Sequence, residues 1–428
     1  MNNKTLKSAL ALSISLASTH LFAGGFALNE QSVSSMGTGY AGRSSSADDA
    51  STVFGNPAGM SRIKHNEVSI GATYLDAKSN IKDASSSQGG VDNPGTNKGD
   101  MVPGIAVPMG YLVTPIDEHW AFGLGVYAPF GLVTDYEHGF QGNGFGNKSK
   151  IQVITVQPTV SYAFNGKVSV GFGPTFNKIS GELDSKVPAF GLGTETAKIK
   201  GDDTAMGFNA GILVQALDST RVGVTYHSQV VYHLSGHTNA SGVLSDVLDG
   251  GAQKYDAKLN VTTPSSVDFS VTHQLTDALT LYVGSTYTRW SQLKKITVNN
   301  AGVSDITAEL AGLGSITEEQ HWHDTWSHAI GLSYQLNKQL VLRTGFSVDQ
   351  TPTNNTDRSV RIPTGDRTVF SLGAGWTPVD NLTFDVAYSY LKEEPIKVRD
   401  NNPQLALTYD AKYENSANGF GGSVTYRF

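Results

Sequence analysis

Cysteine is absent from the 428 residues, which excludes thiol catalysis, disulfides and Cys-type zinc sites. The densest histidines are His321, His323 and His328, set around Trp322 and Trp326. A His-x-His pair on a strand puts both rings on one face, so a divalent metal is chemically conceivable. Aromatic residues at a strand start more commonly form an interfacial girdle, and the expectation is no metal and no cofactor. Asp48-Asp49 has the form of a carboxylate pair for acid–base work. In a Ser- and Gly-rich segment it reads better as anchoring that segment to polar groups around it, because buried charge needs partners. No G-x-S-x-G elbow occurs, and the scattered Ser and His select no triad. A Walker-type phosphate loop is also missing. The residues that could do chemistry do not add up to an enzyme.

Two short elements carry another kind of information. Ala128-Pro129-Phe130-Gly131 interrupts the otherwise regular run WAFGLGVYAPFGLVTDYEHGF. Proline cannot donate to a ladder and glycine weakens one, so this break costs local strand pairing. It reads either as a bulge that relieves curvature or as an opening in a wall. Pro108, Pro158, Pro174 and Pro264 interrupt other strand-like runs, so proline alone decides nothing. Asn56-Pro57-Ala58 has the composition of a defined bend, with Pro fixing one dihedral.

The elements around them are those of a membrane barrel. Residues 1–23 carry Lys4 and Lys7, then the apolar Ala9–Ala17, then Leu21-Phe22-Ala23, the pattern of a secretory signal peptide. Without that leader, 29 Lys and Arg face 38 Asp and Glu, a net charge of −9 that gives no electrostatic case for nucleic acid. Charged residues make up only 16%, below the roughly 25% of soluble domains, beside 47 Gly, 18 Phe and 17 Tyr. No stretch approaches the ~18 apolar residues of a helical span. Exported, poor in charge and rich in aromatics, the chain is expected to be all-β, a barrel in an outer membrane.

From residue 66 the apolar pattern has period 2, in fourteen runs. Trp326, His328, Ile330, Leu332, Tyr334 and Leu336 alternate with small or polar residues, as do Leu382, Phe384, Val386, Tyr388 and Tyr390. Connections alternate between long and short, Asn165-Gly166 being a strong two-residue hairpin signal. Seven long and six short connections fit fourteen antiparallel strands with both termini on the short-turn side, which in outer-membrane barrels is periplasmic. The chain closes on GFGGSVTYRF, with Phe420, Val424, Tyr426 and Phe428 on one face, read as a signal for the barrel-assembly machinery.

GFALNE at 25–30, the Gly/Ser run to Gly42, ADDA at 47–50 and NPAG at 56–59 resemble the N-terminal hatch of the FadL family, outer-membrane channels for long-chain fatty acids and other hydrophobic compounds. The resemblance implies a 14-stranded antiparallel transmembrane β-barrel over 66–428 with a plug over 24–65. It implies that Phe26 turns into the lumen and lines an inner binding site. Asn56, Pro57 and Ala58 would sit beside the third-strand kink at Pro129, Phe130 and Gly131, where the ligand leaves sideways into outer-membrane lipid. The loops 184–205 (Val187, Pro188, Ala189, Phe190, Leu192) and 238–254 (Val243, Leu244, Val247, Leu248) would supply an outer capture groove, though both are short for it. Arg43, Lys178, Arg289 and Arg343 are head-group partners by type only, since Arg can bind a carboxylate bidentately. The expected function is passive import of a long-chain fatty acid or similar hydrophobic molecule by a monomer without cofactors. An aromatic-hydrocarbon channel, a surface receptor or adhesin, and an envelope-lipid hydrolase are the alternatives; the last would lose activity on replacing one Ser, His or Asp at a loop rim.

Overall fold

The computed structural model describes residues 25–188, 193–403 and 405–428. The leader expected over 1–23, and Ala189, Phe190 and Leu192 of the first capture loop, lie outside the described residues. Fourteen antiparallel strands form the wall: β1 (Glu67–Gln88), β2 (Ile105–Pro115), β3 (Trp120–Asp135), β4 (Lys148–Ala163), β5 (Val168–Pro188), β6 (Thr194–Leu217) and β7 (Thr220–His227, resuming as Val230–Gly242). They continue as β8 (Gln253–Thr263 and Ser266–Gln274), β9 (Leu279–Thr288 and Lys295–Ala301), β10 (Ser315–Glu319 and Thr325–Gln335), β11 (Leu340–Asp349), β12 (Arg367–Val379), β13 (Leu382–Glu393 and Ile396–Asn402) and β14 (Leu407–Arg427). β14 pairs back on β1 from Glu67↔Arg427 to Gln88↔Leu407, so the sheet closes. Closure removes the free edges that hydrocarbon would not tolerate.

In the membrane zone the wall is apolar outside and polar inside. Trp326, Ile330 and Tyr334 are exposed on β10 while Thr325 and Ser333 are buried. Toward the long-loop side the sense inverts. On β5 and β6 the charged Lys178, Glu182 and Lys200 point outward, while Ile179, Leu183 and Ile199 turn inward. Water outside and an apolar interior demand this reversal. It also corrects the loop reading: most of 184–205 is ladder, paired as far as Pro188↔Thr194. The alternation is intact there, but with the opposite face apolar. The VLSDVL segment forms a helix, Val243–Leu248, whose first turn is held by Glu195, accepting from the amides of Leu244 (3.1 Å) and Ser245 (3.2 Å).

The N-terminal segment lies inside the barrel. It contains two single-turn helices, α1 (Val33–Gly37) and α2 (Thr52–Gly55), followed by a 3₁₀ turn, Pro57–Arg62. So little regular structure takes its order from the wall. Inward glycines make room for its backbone: a Cβ at Gly345 would overlap Thr38, and one at Gly223 would overlap the Ser44 carbonyl. Across the long-loop mouth, residues 351–366 fold inward. Tyr136 Oη donates to the Val360 carbonyl (2.6 Å), and Arg361 Nη1 donates to Ser149 Oγ (3.0 Å) on the opposite wall.

Candidate lateral gate and ligand path

The wall opens between β2 and β3. Their ladder runs from Pro115↔Ala121 only to Gly110↔Val126, although β2 stays paired with β1 up to Leu75↔Ile105. On its other side β3 pairs with β4 throughout except between Tyr127 and Phe130, where one extra residue makes a bulge. Proline at 129 has no N–H to offer either neighbour. The break is thus both of the things its sequence allowed, a bulge toward β4 and an unpaired edge toward β2.

The N-terminal segment fills that edge. Ala27 and Phe130 form an antiparallel bridge, the Leu28 amide donates to the Pro129 carbonyl (2.9 Å), and the Gly131 amide donates to the Phe26 carbonyl (2.9 Å). Gln31 Nε2 donates to the Ala128 carbonyl (2.6 Å), and Tyr111 Oη from β2 donates to the Gln31 carbonyl (2.8 Å). Leu28 packs between the two wall edges, against Leu75, Ile105, Val107 and Ala128. A buried Leu contributes about 1.5–3 kcal/mol, and each backbone bond about 0.5–1.5 kcal/mol net. The closure is therefore held by a few kcal/mol.

Phe26 is 1% exposed and sits in a box of aromatic rings: Trp290 at 5.0 Å, Phe130 at 5.8 Å and Trp322 at 6.0 Å between centroids. Gly25 has a φ of +74°, and a Cβ there would lie 2.5 Å from Trp322 Cζ3 and 2.8 Å from Trp290 Cζ2, so the box and the chain reversal both require glycine. The box is continuous with Ile151, Ile179, Leu234, Val261 and Ile296, inward residues of β4 to β9. With Ile199, Leu259 and Val298 these line an apolar groove toward the long-loop side. The groove is built from strand extensions; the loop residues Val243–Leu248 do not line it.

The structure brings Phe26 to Pro129, Phe130 and Gly131, where Asn56, Pro57 and Ala58 were expected. Asn56, Pro57 and Ala58 are not with them. Asn56 Nδ2 donates to the carbonyls of Ser44 (2.7 Å) and Ile212 (3.0 Å), and Ser169 Oγ donates to the Ala58 carbonyl (2.9 Å), which seats the bend on β5 and β6. Glycines at 171 and 211 leave the space it occupies there. Asp49 accepts from Ser34 Oγ (2.5 Å) and the Ser51 amide (2.8 Å), so it braces the plug internally rather than tying it to the wall. Trp322 is buried in the box rather than in a girdle, and His321 and His323 lie outside any strand. His328 is on β10, with Nδ1 2.8 Å from Ser285 Oγ. Of the four basic residues singled out, Lys178 is exposed beside Asp202 (3.6 Å) and Arg289 is exposed. Arg343 is paired with Asp385 (2.6 Å), and Arg43 alone lines the chamber below the box. Leu28, Gln31, Tyr111 and Trp290 were missed. Phe26 and Leu28 alternate as strand residues do, which was the one available signal.

The family model for outer membrane protein transport proteins (OMPP1/FadL/TodX) matches residues 14–428. The chain belongs to that family. It is 29% identical to outer membrane protein P1 of Haemophilus influenzae over 468 residues, covering 99% of each chain. It is 27% identical to the long-chain fatty acid transport protein of Escherichia coli O6:H1 over 461 residues, covering 100% of both. The crystal structure of a Pseudomonas aeruginosa FadL homologue superposes with a TM-score of 0.84 at 25% identity, covering 94% of this chain and 100% of that one. This FadL-family member is a multi-pass outer-membrane transporter of hydrophobic compounds.

Proposed function

We propose that this FadL-family protein carries long-chain fatty acids or similar amphipaths inward and releases them sideways between β2 and β3. The observation that carries this reading is the unpaired β2–β3 edge, closed by Phe26–Leu28 and Gln31 of the plug. The apolar groove on β4 to β9 takes up the ligand, and the aromatic box receives its chain. A ligand whose tail competes for the box displaces Phe26, and the bridge to Phe130 goes with it. Binding of a few kcal/mol favouring the displaced state is enough to shift such an equilibrium. A side exit spares the tail a passage through water, and the rest of the plug stays seated on its glycines. Passage is passive and follows the gradient. In assembly, the aromatic C-terminal strand is read by the barrel-assembly machinery, and the working unit is a monomer.

The test is uptake of a labelled long-chain fatty acid by cells without a channel of their own. They would express this chain, or a version with 128–131 replaced by a regular strand sequence. Uptake by the native chain alone, at equal surface levels, supports lateral exit. Equal uptake by both removes the gate, and uptake by neither sinks the fatty-acid reading.

A further inference from the structure

Below the aromatic box lies a chamber bounded by Ala27, Glu30, Tyr40 and Arg43 of the plug and by inward residues of β8 to β14 and of β1. Its roof is the indole of Trp290, which touches Phe26 from the other side. Its lining mixes apolar residues such as Leu75, Val369 and Leu391 with polar ones, and three buried atoms on it have no hydrogen-bond partner among the described residues: Tyr40 Oη, Asp268 Oδ1 and Arg367 Nη1. Asp268 and Arg367 are each only 3% exposed. Their remaining atoms are committed. Asp268 Oδ2 accepts from Thr286 Oγ1 (2.7 Å), while Arg367 Nε donates to Glu393 (2.9 Å) and Nη2 to Thr364 Oγ1 (3.0 Å). Buried side-chain polar atoms are nearly always paired, so three orphans around one cavity describe a site for something that pairs them.

We propose that this chamber is a head-group subsite for an uncharged O–H group at the end of an apolar chain, either a hydroxyl or a protonated carboxyl. Arg367 Nη1 donates to the head-group oxygen, Asp268 Oδ1 accepts its proton in a hydrogen bond, and Tyr40 Oη does either. An ionised carboxylate is disfavoured, because Asp268 and Asp349 lie on the lining while its two cations are already engaged, Arg367 with Glu393 and Arg43 with Asn29. Glu30, on the same lining, has its own carboxyl held above the ordinary range by burial, so the chamber favours neutral acids. The assignment rests on the apolar path proposed above and specifies which amphipaths it selects.

The test uses the full chain in lipid nanodiscs and displacement of a fluorescent fatty-acid probe by four ligands that share a sixteen-carbon chain: alcohol, free acid, methyl ester of that acid and alkane. The ester accepts hydrogen bonds but donates none. The expected order is alcohol and protonated acid well ahead of ester, with alkane last. Asp268→Ala should weaken alcohol about five- to tenfold, the worth of one hydrogen bond, and leave ester unchanged. Tyr40→Phe removes only Oη and serves if the first variant fails to fold, as judged by heat-modifiable gel mobility; it should weaken alcohol without affecting alkane. Ester and alcohol binding within twofold of each other overturns the subsite and leaves the transport path standing, with water alone pairing the three atoms. Binding of none of the four overturns both.

Discussion

The Leu28 amide donates to the Pro129 carbonyl over 2.9 Å, while the Leu28 side chain fills the space between β2 and β3. A residue of the plug thus does for the broken third strand what a neighbouring strand does elsewhere in the wall. Proline supplies a carbonyl without an amide at that point, so the edge can be closed by a segment that is able to leave.

Shortening that side chain should favour the open state. Leu28→Ala removes apolar contact worth about 2–4 kcal/mol at a buried site. Release of an apolar ligand should rise several-fold, as should access of a hydrophobic dye from the outer leaflet. Dye access equal to that of the native chain would show that Leu28 closes nothing.

Ala27 and Phe130 are bridge partners, and the chain has no cysteine to interfere with an engineered pair. Ala27→Cys with Phe130→Cys should form a disulfide that holds the segment on the edge. Uptake should fall to background and return on reduction. Full uptake with the bond formed, verified by mass, would mean that the segment need not move.

Most of the plug should resist displacement. Gly345 and Gly223 lie so close to plug backbone that a side chain on either must push it away. Gly345→Val should raise single-channel conductance and sensitivity to bulky hydrophilic antibiotics, because the polar lumen beneath is no longer sealed. The native glycine at 422 has nothing within 4 Å of a Cβ, so Gly422→Ala is the control expected to change neither.

Fourteen strands were legible because lipid outside and a filled lumen inside write opposite polarity on alternate residues. The long extension of β5 and β6 was not, since above the membrane the sign of that alternation reverses at Ile179 and Ile199 while the period does not change. The break at Pro129 could be read from residue types alone. What met it could not. The closure depends on Ala27 and Phe130, 103 positions apart, finding each other through backbone groups that carry no side-chain signature. Trp322 looked like a girdle residue because its neighbour Trp326 is one, exposed on the lipid face of β10. Position in the chain could not reveal that four residues earlier the polypeptide has turned inside.

The inward-folded residues 351–366 lead to a pH dependence. The Val360 amide donates to Asp400 Oδ2 (3.0 Å), and packing beneath this loop pushes the Asp400 carboxyl up to about 8. Burial is the main cause; Glu318 adds to it, and the Val360 hydrogen bond and Arg361 oppose it. A carboxyl raised above its unfolded value holds its proton in the folded loop. The stability it lends is complete below about pH 4 and is lost as pH rises through about 8. Raising the pH from about 6 to about 9 should therefore loosen the loop across the barrel mouth. Trypsin cleavage at Arg358 and Arg361, corrected for the enzyme's own pH profile, should accelerate over that range. Asp400→Asn cannot ionise and should cut at a rate that does not vary with pH. Equal acceleration in both proteins would place the sensitivity elsewhere than Asp400.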